Sequence, residues 1–206
     1  MKRFVFLAIV AMALAACIGT KGPPIESNTY ALEYPAPGPV DPARRLAWSL
    51  RVDAFDAHPF IGTERMAYRE NAFQMETYRY HRWQAPPALL AAWHLERDLK
   101  SAGFCSAVIG GDSLLQTTHV IEGTVEEFYE NDAEAGWEAV LSISLTLASN
   151  RSEDDGRRIL MQRRYGASRP CRNRSPQAVA EAMSEAMAEV SQRALEDLYQ
   201  TLAAVK

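Results

Sequence analysis

Residues 66–103 read MAYRENAFQMETYRYHRWQAPPALLAAWHLERDLKSAG. The stretch divides into a short strand (Met66–Arg69), a turn at Glu70, Asn71 and Ala72, and a second strand from Gln74 to about Tyr80. Trp83 and Pro86-Pro87 close the extended run, because proline fixes φ and has no N–H to give to a ladder. The same prolines open a helix, where a missing N–H costs nothing in the first turn. Along that helix Ala88, Ala91, Ala92, Leu95, Leu99 and Ala102 fall on one narrow face, and Gly103 supplies the stop. Leu90 and Trp93 point off that stripe, and packing under a neighbouring loop is favoured over a partner contact. A hairpin that hands over to a helix is a packing unit. Its His81, His94 and carboxylates have no catalytic spacing.

Toward the C-terminus the alternation continues. Phe104–Ile109 reads as a strand ended by Gly110-Gly111, and His119–Phe128 as another, with Ile121, Gly123 and Val125 on one face. Asn131–Gly136 is a polar turn. Trp137, Ala139, Leu141, Ile143, Leu145 and Leu147 then hold strict period two. Ser149–Gly156 is an acidic turn and Arg157–Tyr165 a returning strand. Ser175-Pro176 is a helix start, a serine cap followed by proline at the first position. Val179, Met183, Ala186, Val190, Ala194, Leu198, Leu202 and Val205 follow at spacings of three and four.

Toward the N-terminus, Asp56–Gly62 is a loop, and Trp48, Leu50, Val52 and Ala54 alternate with polar residues as a half-buried strand. Pro35–Pro42 is a proline-rich loop, and Tyr30, Leu32 and Tyr34 alternate as a short strand. The pattern predicts a single α/β domain over residues 30–206, a largely antiparallel mixed sheet with two main helices packed on it.

Residues 1–16 form a lipoprotein signal peptide: Lys2 and Arg3, an uncharged run from Phe4 to Ala16, and Leu14-Ala15-Ala16-Cys17 as a lipobox. The apolar run is too short for a bilayer span, which needs about 20 residues. Cys17 is the lipidation site, its thiol taking a diacylglycerol and its new amino group a further acyl chain such as palmitate. An ordinary secretory signal and an uncleaved membrane stub are the alternatives. Ile18 rather than aspartate follows the cysteine, as in lipoproteins sorted to the outer membrane. Residues 17–29 form the lipidated cysteine and a Gly- and Pro-containing tether.

Of 206 residues, loss of the first 16 leaves 190, carrying 20 basic and 26 acidic side chains, a net charge of −6. A chain of this size buries about 70% of its unfolded surface around one core. The acidic balance argues against nucleic acid as a partner. Cys105 and Cys171 are an even pair in an oxidising compartment, which points to a disulfide; two separate thiols are the alternative.

Catalytic chemistry finds no foothold. His58, His81, His94 and His119 are scattered without metal-ligand spacing. A nucleophile elbow is absent, and Gly110-Gly111-Asp112 is a turn, not a phosphate loop. The acidic run Glu126, Glu127, Glu130, Asp132 and Glu134 lacks the alternation of a calcium loop, so a solvated hairpin end is expected. The expectation is a protein that is not an enzyme and uses no cofactor and no metal.

Tyr30-Ala31-Leu32 after the lipobox, Tyr68-Arg69, Tyr80 with Trp83 and Pro86-Pro87, Gly123–Phe128 and the terminal amphipathic helix occur in a telling order. With them the chain resembles the ABC-type transport auxiliary lipoprotein family, which includes the lipoprotein of the paraquat-inducible MCE lipid-transport system. The resemblance implies a fold similar to the TolB amino-terminal domain. It also implies an outer-membrane lipoprotein on the periplasmic face, docking an MCE-domain protein that works with an ABC permease and its ATPase to carry lipid. A homo-oligomer is compatible with this. The rival readings are a structural lipoprotein assisting an outer-membrane β-barrel or lipopolysaccharide export assembly, and a module binding a small ligand or lipid.

Overall fold

The computed structural model describes residues 27–133, 136–150 and 158–205. Nine strands form one mixed sheet among these residues. In chain order they are β1 (Asn28–Tyr30), β2 (Leu46–Val52), β3 (Asp56–Ala57), β4 (Arg65–Asn71), β5 (Gln74–Trp83), β6 (Cys105–Gly110), β7 (His119–Ala133), β8 (Gly136–Ser149) and β9 (Arg158–Pro170). Helix α1 (Pro87–Ala102) lies between β5 and β6, and α2 (Pro176–Ala204) follows β9.

β7 is the spine. One of its edges pairs antiparallel with β8 from His119↔Ser149 to Ala133↔Gly136, and β8 pairs antiparallel with β9. The other edge is shared in turn by β2, β3 and β4, all parallel to it. β6 flanks β2, β5 flanks β4 as the expected hairpin, and β1 closes the path beside β5. The long ladders are thus antiparallel and the short ones parallel.

Alternation puts Leu141, Ile143, Leu145 and Leu147 of β8 on the covered face, each at most 2% exposed. Both helices pack into the same core cluster. On α1 the predicted stripe is buried throughout, and Leu90 joins it, fully buried. Each fully buried leucine contributes about 1.5–3 kcal/mol. Gly103 ends the helix in the left-handed region at φ 63°, its N–H on the Leu99 carbonyl. Ser175 caps α2, its Oγ accepting from the Ala178 N–H at 3.2 Å. The 29 residues of α2 extend about 43 Å and pack mainly along β8 and β9.

Three local expectations change, the first being the loop read over Asp56–Gly62, which carries β3 (Asp56–Ala57) and a short 3-10 turn at Pro59–Ile61. The strand expected over Tyr30, Leu32 and Tyr34 stops at Tyr30. Leu32 and Tyr34 are still buried, but Tyr34 leaves the ladder to give its hydroxyl to Asp98 at 2.8 Å. The polar turn expected from Asn131 begins later, because β7 continues to Ala133. Most of the Ser149–Gly156 turn lies outside the described residues.

Asp98 ties the layers together. It is fully buried on α1 and accepts from Tyr34 Oη, from Ser191 Oγ of α2 at 2.5 Å and from Arg97 Nε at 2.9 Å. Arg97 lies over the Tyr34 ring, 4.2 Å from its centroid, and also donates to the Tyr34 carbonyl. A buried carboxylate stabilises only when its lone pairs are met, and here both oxygens are. Burial and the Asp98 charge push the Tyr34 phenol well above its ordinary pKa.

Candidate functional site

The four histidines stay apart. His58 accepts from Phe60 N–H in a short 3-10 turn, His81 on β5 meets Tyr30 Oη at 3.0 Å, and His94 on α1 lies 2.8 Å from the Leu90 carbonyl oxygen. His119 opens β7 edge-on to Trp48. No group of three potential metal ligands occurs among the described residues.

The acidic run does not behave as one solvated surface. Glu126 and Glu127 face outward, the first accepting from Ser144 Oγ at 2.7 Å and the second paired with Arg164 at 3.0 Å. Glu130 instead turns into the covered face and is 1% exposed. A bulge between Val125 and Glu127 is the cause: one added residue reverses the alternation, so Phe128 and Glu130 follow Ile121, Gly123 and Val125 inward. Tyr78 Oη donates to Glu130 Oε2 at 2.9 Å, while Oε1 has no partner. Burial, aided by nearby Asp132 and opposed by the Tyr78 hydrogen bond, raises the Glu130 pKa to about 7. The break in alternation at Glu126-Glu127 was the available sequence signal. Glu134 lies outside the described residues.

The disulfide expectation is corrected: both Cys105 and Cys171 are free. Cys105 opens β6 opposite Leu46, beyond the start of β7, whereas Cys171 follows β9 with its N–H on the Trp137 carbonyl, beside the end of β7. A bridge needs Cα atoms within about 7 Å, and most of β7 separates these two. Burial pushes the Cys105 thiol up to about 12; burial and Glu130 push Cys171 up to about 11. Cys17 lies outside the described residues.

Large exposed apolar side chains sit at separate places. Phe73, at the tip of the β4–β5 hairpin, is 100% exposed. Leu114 and Leu115, in the connection from β6 to β7, are 100% and 68% exposed. Trp93 remains half-exposed on α1, with Leu89 one turn before it, so the packing expected of Trp93 is met only by Leu90. The hairpin tip stands beside the end of β7, since Arg69 pairs with Asn131; the Leu114-Leu115 loop stands beside its start, since Thr118 bonds Ser49. Twelve steps of β7 from His119 to Asn131 correspond to roughly 40 Å.

Open depressions accompany both places. One of about 560 Å³ is lined by Ser49, Arg51, Leu114, Leu115, Thr117 and Asn150. Another of about 500 Å³ is lined by Phe60, Arg69, Phe73, Met75 and Tyr129. Between sheet and helices the void at Phe55, Leu95, Ile143 and Met187 amounts to about 10 Å³.

These features define an α/β domain with one mixed sheet, one face closed by two helices and one face wet. The chain belongs to the family of the ABC-type transport auxiliary lipoprotein component, whose model matches residues 30–194. Its fold is similar to that of protein XCC0632 from Xanthomonas campestris, at 20% identity and a TM-score of 0.72, covering 84% of this chain and 96% of that one. An uncharacterized protein is similar at 14% identity and a TM-score of 0.65, covering 84% and 99%. The hypothetical protein CT253 from Chlamydia trachomatis follows at 9% identity and a TM-score of 0.55, covering 78% and 100%. At these identities the likeness is one of fold. No curated protein matches the chain.

Proposed function

We propose that this auxiliary lipoprotein is a docking platform, without enzymatic activity, of an MCE-type ABC system that moves lipid between the inner and outer membranes. Cys17 anchors the chain in the outer membrane on the periplasmic side, and the folded domain receives the MCE-domain component that works with the permease and ATPase.

The observation that carries this reading is the filled core. A void of about 10 Å³ between helices and sheet is far below the several hundred Å³ of a ligand pocket. The larger depressions open to solvent on the surface, where a protein partner can reach them. The exposed Leu114-Leu115 loop is the apolar feature best placed to meet such a partner, at the opposite end of β7 from the hairpin tip.

The test is crosslinking and affinity purification of the lipidated protein from native membranes, with mass spectrometry of what accompanies it. Recovery of an MCE-domain protein with a permease and ATPase is expected. Recovery of a β-barrel alone would replace this reading with an assembly role. Lipid retained by the unlipidated domain in detergent-free buffer would replace it with a binding module.

A further inference from the structure

The hairpin tip is built to hold an aromatic ring in the open. Arg69 donates to the carbonyl oxygens of Asn71 at 3.2 Å and Ala72 at 2.8 Å, and the Phe73 N–H donates to Asn71 Oδ1 at 3.0 Å. Arg69 also reaches Tyr129 Oη at 3.1 Å, which ties the turn to β7. Phe73 is therefore fully exposed on a turn whose backbone is fixed by side-chain hydrogen bonds. A single exposed apolar residue is ordinary on a protein surface; what sets Phe73 apart is that its ring is held out at a turn fixed on both sides by hydrogen bonds.

The direction of the chain says what covers it. β1 runs parallel to β5 with Asn28 opposite His81, so the amino-terminal end of β1 faces the side on which β5 begins, the side of the tip. His81 lies seven residues, about 23 Å, from Gln74 at the tip. Cys17 lies eleven positions before Asn28, and covalent geometry limits that link to about 40 Å. The lipid-bearing residue and Phe73 can thus meet one plane together.

Charge selects the kind of plane. Near this end Arg174 lies 4.0 Å from Asp132 and Arg172 lies 3.5 Å from Glu181, while Glu70 is exposed beside the tip. Such a mixed surface suits a zwitterionic phospholipid face better than a strongly anionic one. A phenylalanine ring buries at the headgroup–acyl boundary of such a face. A single ring binds weakly alone, but a tether raises its effective concentration at the membrane greatly.

We infer that Phe73 is a second, non-covalent membrane contact, inserting among zwitterionic phospholipids and standing the domain upright with the Leu114-Leu115 loop directed into the periplasm. This rests on the anchoring through Cys17 proposed above.

The experiment compares the lipidated full chain carrying Phe73→Trp or Leu115→Trp in phosphatidylcholine vesicles, with and without acyl-brominated lipid as quencher. The wild-type signal of the four native tryptophans is the baseline. Loss of the added emission for Phe73→Trp, with none for Leu115→Trp, is expected. Quenching at neither position, at both, or at Leu115→Trp alone overturns the inference. Flotation of the same samples separates the two failures: protein that floats unquenched keeps its anchor and lacks the contact. Protein that does not float has lost the anchoring reading, and this inference with it. An unchanged thermal melt is expected for both variants because both side chains are exposed.

Discussion

Asp98 of α1 and Ser191 of α2, 93 residues apart in sequence, share a hydrogen bond of 2.5 Å in the buried seam between the two helices. Removing one partner of a buried charge leaves the rest of the network unmatched. Asp98→Ala is expected to lose about 3–5 kcal/mol, as for breaking a buried ion pair. Ser191→Ala should lose about 1.5–3 kcal/mol, the range for a hydrogen bond to a charged group. Urea denaturation of the soluble domain measures both; equal effects would mean the seam does not depend on the charge.

Glu130 makes stability depend on pH in a definite direction. Its pKa is raised from 4.5 to about 7 in the fold, so the native state holds a proton that the unfolded chain has released. The stabilisation is complete below about pH 4.5 and is lost as pH rises to about 7, on the order of 3 kcal/mol in total. Glu130→Gln, neutral and of the same shape, should flatten that part of the profile and be the more stable form at pH 8. An unchanged slope in the variant would assign the titration to another group.

Gly123 admits the Phe55 ring. A Cβ placed there would stand 2.7 Å from three ring carbons, and Phe55 is buried. Gly123→Ala is therefore expected to cost about 1–3 kcal/mol through overpacking. Combining it with Phe55→Leu should recover part of the loss, and a thermal melt of the three variants tests this.

The separated thiols predict indifference to reductant. Adding it to the folded domain with Cys17→Ser should leave the melting temperature unchanged, and two thiols should titrate on unfolding. A fall on reduction would restore the disulfide.

The apolar loop at the start of β7 should matter for partners and not for folding. Leu114→Asp combined with Leu115→Asp is expected to leave the melt unchanged, because neither side chain is buried. On the proposed docking role it should sharply reduce recovery of an MCE-domain component in the crosslinking experiment. Full recovery would move the docking surface to Leu89 and Trp93 on α1.

Sequence by itself determined both helices and the longer strands in their order, though not β3. The hairpin at 66–80, the helix stop at Gly103, the Ser175-Pro176 cap and the strict alternation of β8 are local signals, read within a turn or a strand pair. Only the tertiary structure decided that β2, β3 and β4 line one edge of β7, because strand neighbours are set by pairing across the whole chain. Only it turned Glu130 inward, since a bulge is defined by the register of a partner strand. The same holds for the Asp98 seam and the distance between Cys105 and Cys171. Periodicity tells a side chain which face it occupies; packing alone tells it what stands opposite.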